Sequence, residues 1–268
     1  MGFASQSRPV EAIPVLLYHS VSDVAPTGQE LYTVTPAVFA SHLAVLADSG
    51  RPIVALKEIA EQALGGSTVP TGAVAISFDD GFADLATNAL PRLLRHSMTA
   101  TLFQTTGCIG GQFCDRAMLD ESALRDLAEA GIDIGSHSVS HPHLDLLDPA
   151  ARVEQLRASR SRLEEILSKP VDAIAYPHGS HHRRTARAAA HVGYRWAAAV
   201  KNAYSHAEDD PWGLARITIT SDHTATDVAR VLAGDGYPFG WRRERVRTTA
   251  FRQVRRIRTR RGHDRAHA

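Results

Sequence analysis

Ala73-Val74-Ala75-Ile76-Ser77-Phe78-Asp79-Asp80-Gly81 is an apolar run that breaks into two adjacent carboxylates and a glycine. A second segment repeats the plan, with Ile132-Asp133-Ile134-Gly135-Ser136 running into His137-Ser138-Val139-Ser140-His141. Short apolar runs bounded by turn residues read as strands buried in a parallel sheet. Polar groups at the C-terminal ends of such strands are where α/β barrels keep their chemistry. One carboxylate with two imidazoles makes a three-ligand set for a divalent ion and leaves a position open for water. The second carboxylate is then free to act as a base, which predicts a metal-dependent hydrolase. The His-x-x-x-His spacing predicts both imidazoles on one face of a helical turn.

Outward from these two segments, strands and helices alternate. Strands are expected at Val15–Tyr18, Ile53–Leu56, Ala73–Phe78, Ala100–Thr106, Ile132–Ser136, Ala173–Tyr176, Trp196–Val200 and Ala215–Thr220. Thr35-Pro36, Asp120 and Asp148-Pro149 are helix starts, each a side chain able to cap the first turn, two of them followed by a first-turn proline. Leu85–His96 is expected to be helical in spite of Pro91. This order predicts a parallel α/β barrel.

A chain of 268 residues with 44% hydrophobic content can bury one large core. No apolar run is long enough to span a membrane, and Met1–Arg8 lacks the basic start and apolar stretch of a secretory leader, so the expected location is cytoplasmic. The two cysteines, Cys108 and Cys114, form neither a disulfide framework nor a four-thiol zinc pattern and read as inert. The net charge of +1 conceals a split, because eleven arginines lie between Arg242 and Ala268 against Glu244 and Asp264. Val246, Ala250, Val254 and Ile257 recur there at helical spacing. The tail reads either as a basic amphipathic helix docking on an anionic membrane surface, at the inner face of the membrane, or as a disordered extension. It carries no nucleic-acid reading motif, and no nucleic-acid partner is expected. The expected organisation is an N-terminal extension over 1–12, a catalytic barrel over 13–234 and an Arg-rich tail over 235–268.

Ser77-Phe78-Asp79-Asp80-Gly81 followed by His137-Ser138-x-x-His141 resembles the first two signature motifs of the polysaccharide deacetylase, or NodB-homology, family (carbohydrate esterase family 4-like). Leu17-Tyr18-His19-Ser20, Ala100-Thr101-Leu102-Phe103 and Ala175-Tyr176-Pro177-His178-Gly179 agree with it, and the likeness runs from about Ile13 to Gly234. The resemblance implies a distorted (β/α)7-8 TIM-like barrel. It implies Asp79 as catalytic base and Asp80, His137 and His141 as holders of one divalent ion, zinc first, with cobalt, nickel or manganese as alternatives. The third motif departs from the family: its arginine is absent and His178 stands at the tyrosine position. The His178 backbone N–H would still serve as an oxyanion donor. Tyr176, Pro177 and Arg216 are expected near the substrate, and Arg216 is the candidate replacement for the missing arginine. No late acid histidine is evident. Tyr18-His19 instead resembles a motif of biofilm-exopolysaccharide deacetylases, which implies His19 as the general acid, acting as an imidazolium.

The expected function is removal of the N-acetyl group from an N-acetylated sugar or glycan intermediate, with release of acetate. The alternatives are a deformylase or a cyclic-imide or ureide hydrolase on the same barrel, or a catalytically idle glycan-binding protein. His143, His178, His181 and His182 read as solvated or substrate-facing rim residues, and Trp196 and Trp212 as core.

Overall fold

Eight strands form one parallel sheet: β1 (Val15–Tyr18), β2 (Ile53–Val54), β3 (Val74–Phe78), β4 (Thr101–Gln104), β5 (Asp133–Ser136), β6 (Ala173–Ala175), β7 (Trp196–Ala198) and β8 (Ile217–Thr218). This computed structural model describes residues 12–180, 182–206 and 208–234. The expected extension before Ala12 and the Arg-rich tail with its amphipathic stripe lie outside the described residues. The strand order is β7-β6-β5-β4-β3-β1-β8, with β2 paired to the start of β3. The sheet curls so far that its two edges touch. Ala198 bridges Leu214, just ahead of β8, through Leu214 N–H to Ala197 O at 3.0 Å and Ala199 N–H to Leu214 O at 2.9 Å. The α/β barrel expected from the element order is therefore present, and each strand lies where the apolar runs put it. Strand β2 is shorter than expected because Ala55 already leads into the next helix.

The helices are α1 (Pro36–Asp48), α2 (Leu56–Ala63), α3 (Leu90–Arg95), α4 (Glu121–Glu129), α5 (Pro149–Leu167), α6 (Arg183–Val192) and α7 (Ala225–Ala233). Thr35, Asp120 and Asp148 each accept a first-turn N–H, as their side chains predict. The helix expected over Leu85–His96 is present through Arg95, and its first part is a π-helical segment, Leu85–Ala89, that runs directly into α3. Proline lacks an N–H and clashes with the preceding turn, so an unbroken α-helix could not carry Pro91 in its interior. The change from π to α winding at Leu90 puts Pro91 in the first turn of α3.

Side chains alternate between the faces of a strand, and the core is accordingly two layers. Leu16, Tyr18, Ile76, Phe78, Leu102, Ile134 and Ile174 face the helices. Val15, Ala75, Phe103, Ala173, Ala175, Trp196 and Ala198 fill the barrel interior. The inner layer is mostly small because Phe103, Trp196 and the whole of Arg216 must share that space, all three fully buried. Gly135 of β5 is the tightest case, since a Cβ there would lie 2.7 Å from the Phe103 ring and 3.1 Å from Ala173 Cβ. No helix among the described residues is long and apolar enough to cross a membrane. Gly135→Ala should destabilise the barrel by about 1–3 kcal/mol through overpacking. Thermal unfolding should show this as a fall in Tm on the order of 5 °C.

Candidate active site

Parallel pairing delivers the polar groups to one rim. Tyr18 and Phe78 are register partners on β1 and β3, and Asp79 N–H donates to Tyr18 O at 3.0 Å, so His19 and Asp79 leave the sheet side by side. Ser136 is the register partner of Gln104 on β5 and β4, and His137 N–H donates to Gln104 O at 2.8 Å. The second histidine follows in a loop, not in the helical turn expected from its spacing. Ser138 and His141 both have left-handed backbones (φ 67° and 56°). Gln155 of α5 holds that loop, its Oε1 accepting from Val139 N–H at 3.1 Å and Ser140 N–H at 3.0 Å. Asp80 and His178 are left-handed too (φ 71° and 58°). Such backbones cost on the order of 1–3 kcal/mol each and gather at functional sites.

Three of these groups converge. The ligand atoms of Asp80, His137 and His141 lie within 4.8 Å of one another. Asp80 Oδ1 is 3.6 Å from His137 Nε2 and 3.4 Å from His141 Nε2. Tetrahedral bonds of 2.0–2.2 Å imply ligand–ligand edges of about 3.3–3.6 Å, and the two edges from Asp80 match that range. The chemistry of the donors agrees. His137 Nδ1 bonds Ala175 O at 2.9 Å, which places its proton there and leaves Nε2 with a lone pair. Asp80 Oδ1, the atom between the two imidazoles, is buried with no hydrogen-bond partner. Burial, then the charge of Asp79, pushes the Asp80 carboxyl up to about 8. Burial pushes His137 down, and burial with His137 and His178 nearby takes His141 down to about 2. A buried carboxyl group between two neutral imidazoles is a donor set suited to a cation, which would favour its ionised form.

Asp79 has the opposite environment. Burial would raise its pKa, but Arg216 holds it at about 2. Arg216 Nη1 donates to Oδ1 at 2.6 Å and Nη2 to Oδ2 at 2.8 Å, a two-point pair in which the guanidinium is fully buried. Arg216 Nε reaches Ala199 O at 3.4 Å, and its Cζ lies 5.1 Å from the centre of the Phe103 ring. This corrects the expectation that Arg216 contacts substrate, because it is sealed behind Asp79. Tyr176 is corrected likewise: it is fully buried with its hydroxyl on Trp212 O at 3.1 Å, and Pro177 is buried beside it. Both lead into the short turn that carries His178. His178 is exposed, its ring 4.4 Å from that of His141 and 3.8 Å from that of His143.

His19 is half-buried against Tyr32, with ring centres 5.0 Å apart, and its Nδ1 is buried without a hydrogen-bond partner. Burial lowers it to about 4, with Asp79 acting in the opposite sense and Arg216 and His137 adding to the fall. The resting side chain is therefore neutral at pH 7 and not the imidazolium expected. Cys108 and Cys114 are free and partly buried, and burial raises both thiols, which fits the inert reading. Trp196 is core, as expected. Gln104, which no motif marks, is the polar residue that contacts both the Asp80 and His137 backbones. Its only trace in the sequence is an amide closing the otherwise apolar stretch Leu102-Phe103-Gln104.

Comparison with known proteins agrees with this frame. The polysaccharide deacetylase family model matches residues 66–197. YxkH of Bacillus subtilis (strain 168), whose name places it among the polysaccharide deacetylases, is 27% identical over 208 residues, covering 78% of this chain and 71% of its own. The Streptococcus pyogenes deacetylase PplD, solved with acetate, superposes with a TM-score of 0.74 at 23% identity, over 84% of this chain and 99% of that one. IcaB from Ammonifex degensii gives 0.74 at 21% identity, over 83% and 97%. The class is thus a hydrolase acting on carbon–nitrogen bonds. Residues 66–197 are similar to the polysaccharide deacetylase family, whose members act on N-acetylated polysaccharides. The family match includes Asp79, Asp80, His137, His141 and His178, whereas His19 and Arg216 lie outside its bounds.

Removing one member of a buried ion pair strands the other, at about 3–5 kcal/mol. Arg216→Met should therefore lose about that much stability in chemical denaturation, and adding Asp79→Asn should recover most of it. An Arg216→Met protein as stable as wild type would mean that Asp79 is not held by that pair.

Proposed function

We propose that the protein is a metal-dependent N-deacetylase of an N-acetylated amino sugar, in which Arg216 does the work of the arginine missing from the third motif. The observation that carries this reading is the pairing of Arg216 with Asp79 beside the set Asp80, His137 and His141. Those three residues would hold the divalent ion, zinc by default, which supplies charge for the acyl oxygen and acidifies the attacking water enough for a weakly basic carboxylate to accept its proton.

The chain's own groups do the rest. Arg216 occupies both oxygens of Asp79 in a fork, which fixes the carboxylate plane and keeps it ionised. A carboxylate has about four lone-pair directions, so two remain for the water proton. As the water attacks the amide carbon, Asp79 takes that proton. The His178 backbone N–H serves as the oxyanion donor, since a main-chain donor is indifferent to the side chain it carries. His19 leaves the sheet next to Asp79 and is neutral at rest. Asp79 is held at about 2 and His19 at about 4, and an alkyl amine is more basic than either. A proton taken by Asp79 passes by way of His19 to the departing nitrogen, which is more basic than a carboxylate or an imidazole. The carbon–nitrogen bond breaks, acetate and the free amine leave, and both side chains return to their starting states. The barrel that does this is the segment expected over 13–234.

The test is release of acetate from N-acetylated glucosamine oligomers. Chelator should abolish it and zinc or cobalt should restore it. Asp79→Asn should retain the ion and lose about 10²–10⁴ in kcat, and His19→Ala should lose a similar factor with unchanged ion content. Formate or ammonia in place of acetate would move the protein to another amide hydrolase, and a rate indifferent to His19 would remove that residue from the mechanism.

A further inference from the structure

We propose that Gln104 is a positioning residue that sets Asp80 against His137 and thereby tunes how tightly the three-ligand set holds its ion. The inference rests on reading that set as a metal site. Gln104 ends β4 and is fully buried. Its main-chain carbonyl accepts the His137 N–H at 2.8 Å. Its side-chain Nε2 donates to Asp80 O at 3.3 Å and to Thr105 O at 2.9 Å. One residue therefore ties together the backbones of two ligands that come from the strands on either side of it.

The orientation of this amide follows from its partners. Two carbonyls can only accept, so nitrogen must face them. Oε1 is then turned to Gly81, where it is buried and has no hydrogen-bond partner. The fit is close, since a Cβ on Gly81 would lie 1.9 Å from that oxygen. A buried unpartnered amide oxygen is destabilising, and a methionine would fill nearly the same volume without one. What methionine cannot supply is the donor to Asp80. Asp80 needs that donor because its own backbone is left-handed, a region a non-glycine residue keeps only when its surroundings hold it there. Thr105 N–H gives the Asp80 carbonyl a second donor at 3.1 Å. With its carbonyl held from two sides, Asp80 keeps Oδ1 between the two imidazoles.

Groups that orient metal ligands from behind typically change affinity by about 10- to 100-fold when removed. The experiment is cobalt binding to the chelator-stripped full-length protein by competition with a chromophoric chelator, with thermal unfolding of the apo and cobalt-loaded forms. Gln104→Met should bind cobalt about 10- to 100-fold more weakly, while its apo form melts at or above wild type because the unpartnered oxygen is gone. Gln104→Asn, which keeps an amide but is one methylene too short to reach, should show the same loss of affinity and serves if the methionine variant does not fold. Wild-type affinity in either folded variant overturns the inference. So does a lowered apo Tm with affinity intact, the signature of a purely structural amide. Wild-type protein that binds no cobalt would overturn the metal reading itself, and that result precedes any substitution.

Discussion

A charged guanidinium sealed inside the barrel is tolerable only because it meets a carboxylate at two points. Arg216 and Asp79 are both buried, and each alone would be a large desolvation penalty. Much of the architecture can be traced to satisfying that pair. Arg216 stands just before β8 and Asp79 just after β3, with only β1 between those strands, and Arg216 Nε reaches Ala199 O past the end of β7, across the closed seam. The buried guanidinium shares the interior with Phe103 and Trp196, and the inner layer is otherwise largely of small residues, Ala75, Gly135, Ala173, Ala175 and Ala198 among them. Phe103 offers its ring to the remaining face of the cation. The packing of the interior and the ionisation of a candidate base thus share one buried pair.

That constraint separates two carboxylates adjacent in sequence. Asp79 and Asp80 are equally buried, yet one is pushed down to about 2 and the other up to about 8. The difference is the partner each finds. Asp79 has its cation within the protein; Asp80 has neutral imidazoles and a partnerless oxygen. Neighbouring groups whose environments drive their pKa values apart take different chemical roles. The left-handed backbone at Asp80 is what turns the second carboxylate away from the arginine and toward the histidines.

What was legible in the sequence was what depends on near neighbours. Strand positions followed from apolar runs, and helix starts at Thr35, Asp120 and Asp148 from capping chemistry that spans only a few residues. The Asp pair and the two histidines were legible because their motifs are contiguous. His-x-x-x-His misled on local conformation, because the same spacing suits a loop when Ser138 and His141 adopt positive φ and Gln155 from a distant helix anchors the turn. Arg216 could be named but not oriented, since its partner is 137 positions away. The neutral state of His19 was out of reach because it is a property of burial and of Tyr32, Asp79 and Arg216 together. Gln104 left almost no signal, its contacts being to backbone atoms of other strands.

The rim stores strain, and its distribution says how the site is built. Asp80, Ser138, His141 and His178 are four left-handed non-glycine residues, and two of them are members of the ligand set. The Asp80 and His141 main chains are held by groups beyond the set: Gln104 and Thr105 for the Asp80 carbonyl, the Ser138 hydroxyl for the His141 N–H at 3.1 Å. The Asp80 supports come from the end of β4, and the loop that carries His141 is anchored by Gln155 of α5. A ligand set made of relaxed residues would have to be drawn together by the ion itself, and binding would be weakened by the ordering required. Here the ordering is done on folding, by a main-chain bond from Thr105 and by the Gln104 and Ser138 side chains, each meeting a main-chain group that the barrel must satisfy in any case. The strained residues are therefore best understood as geometry fixed before the ion arrives.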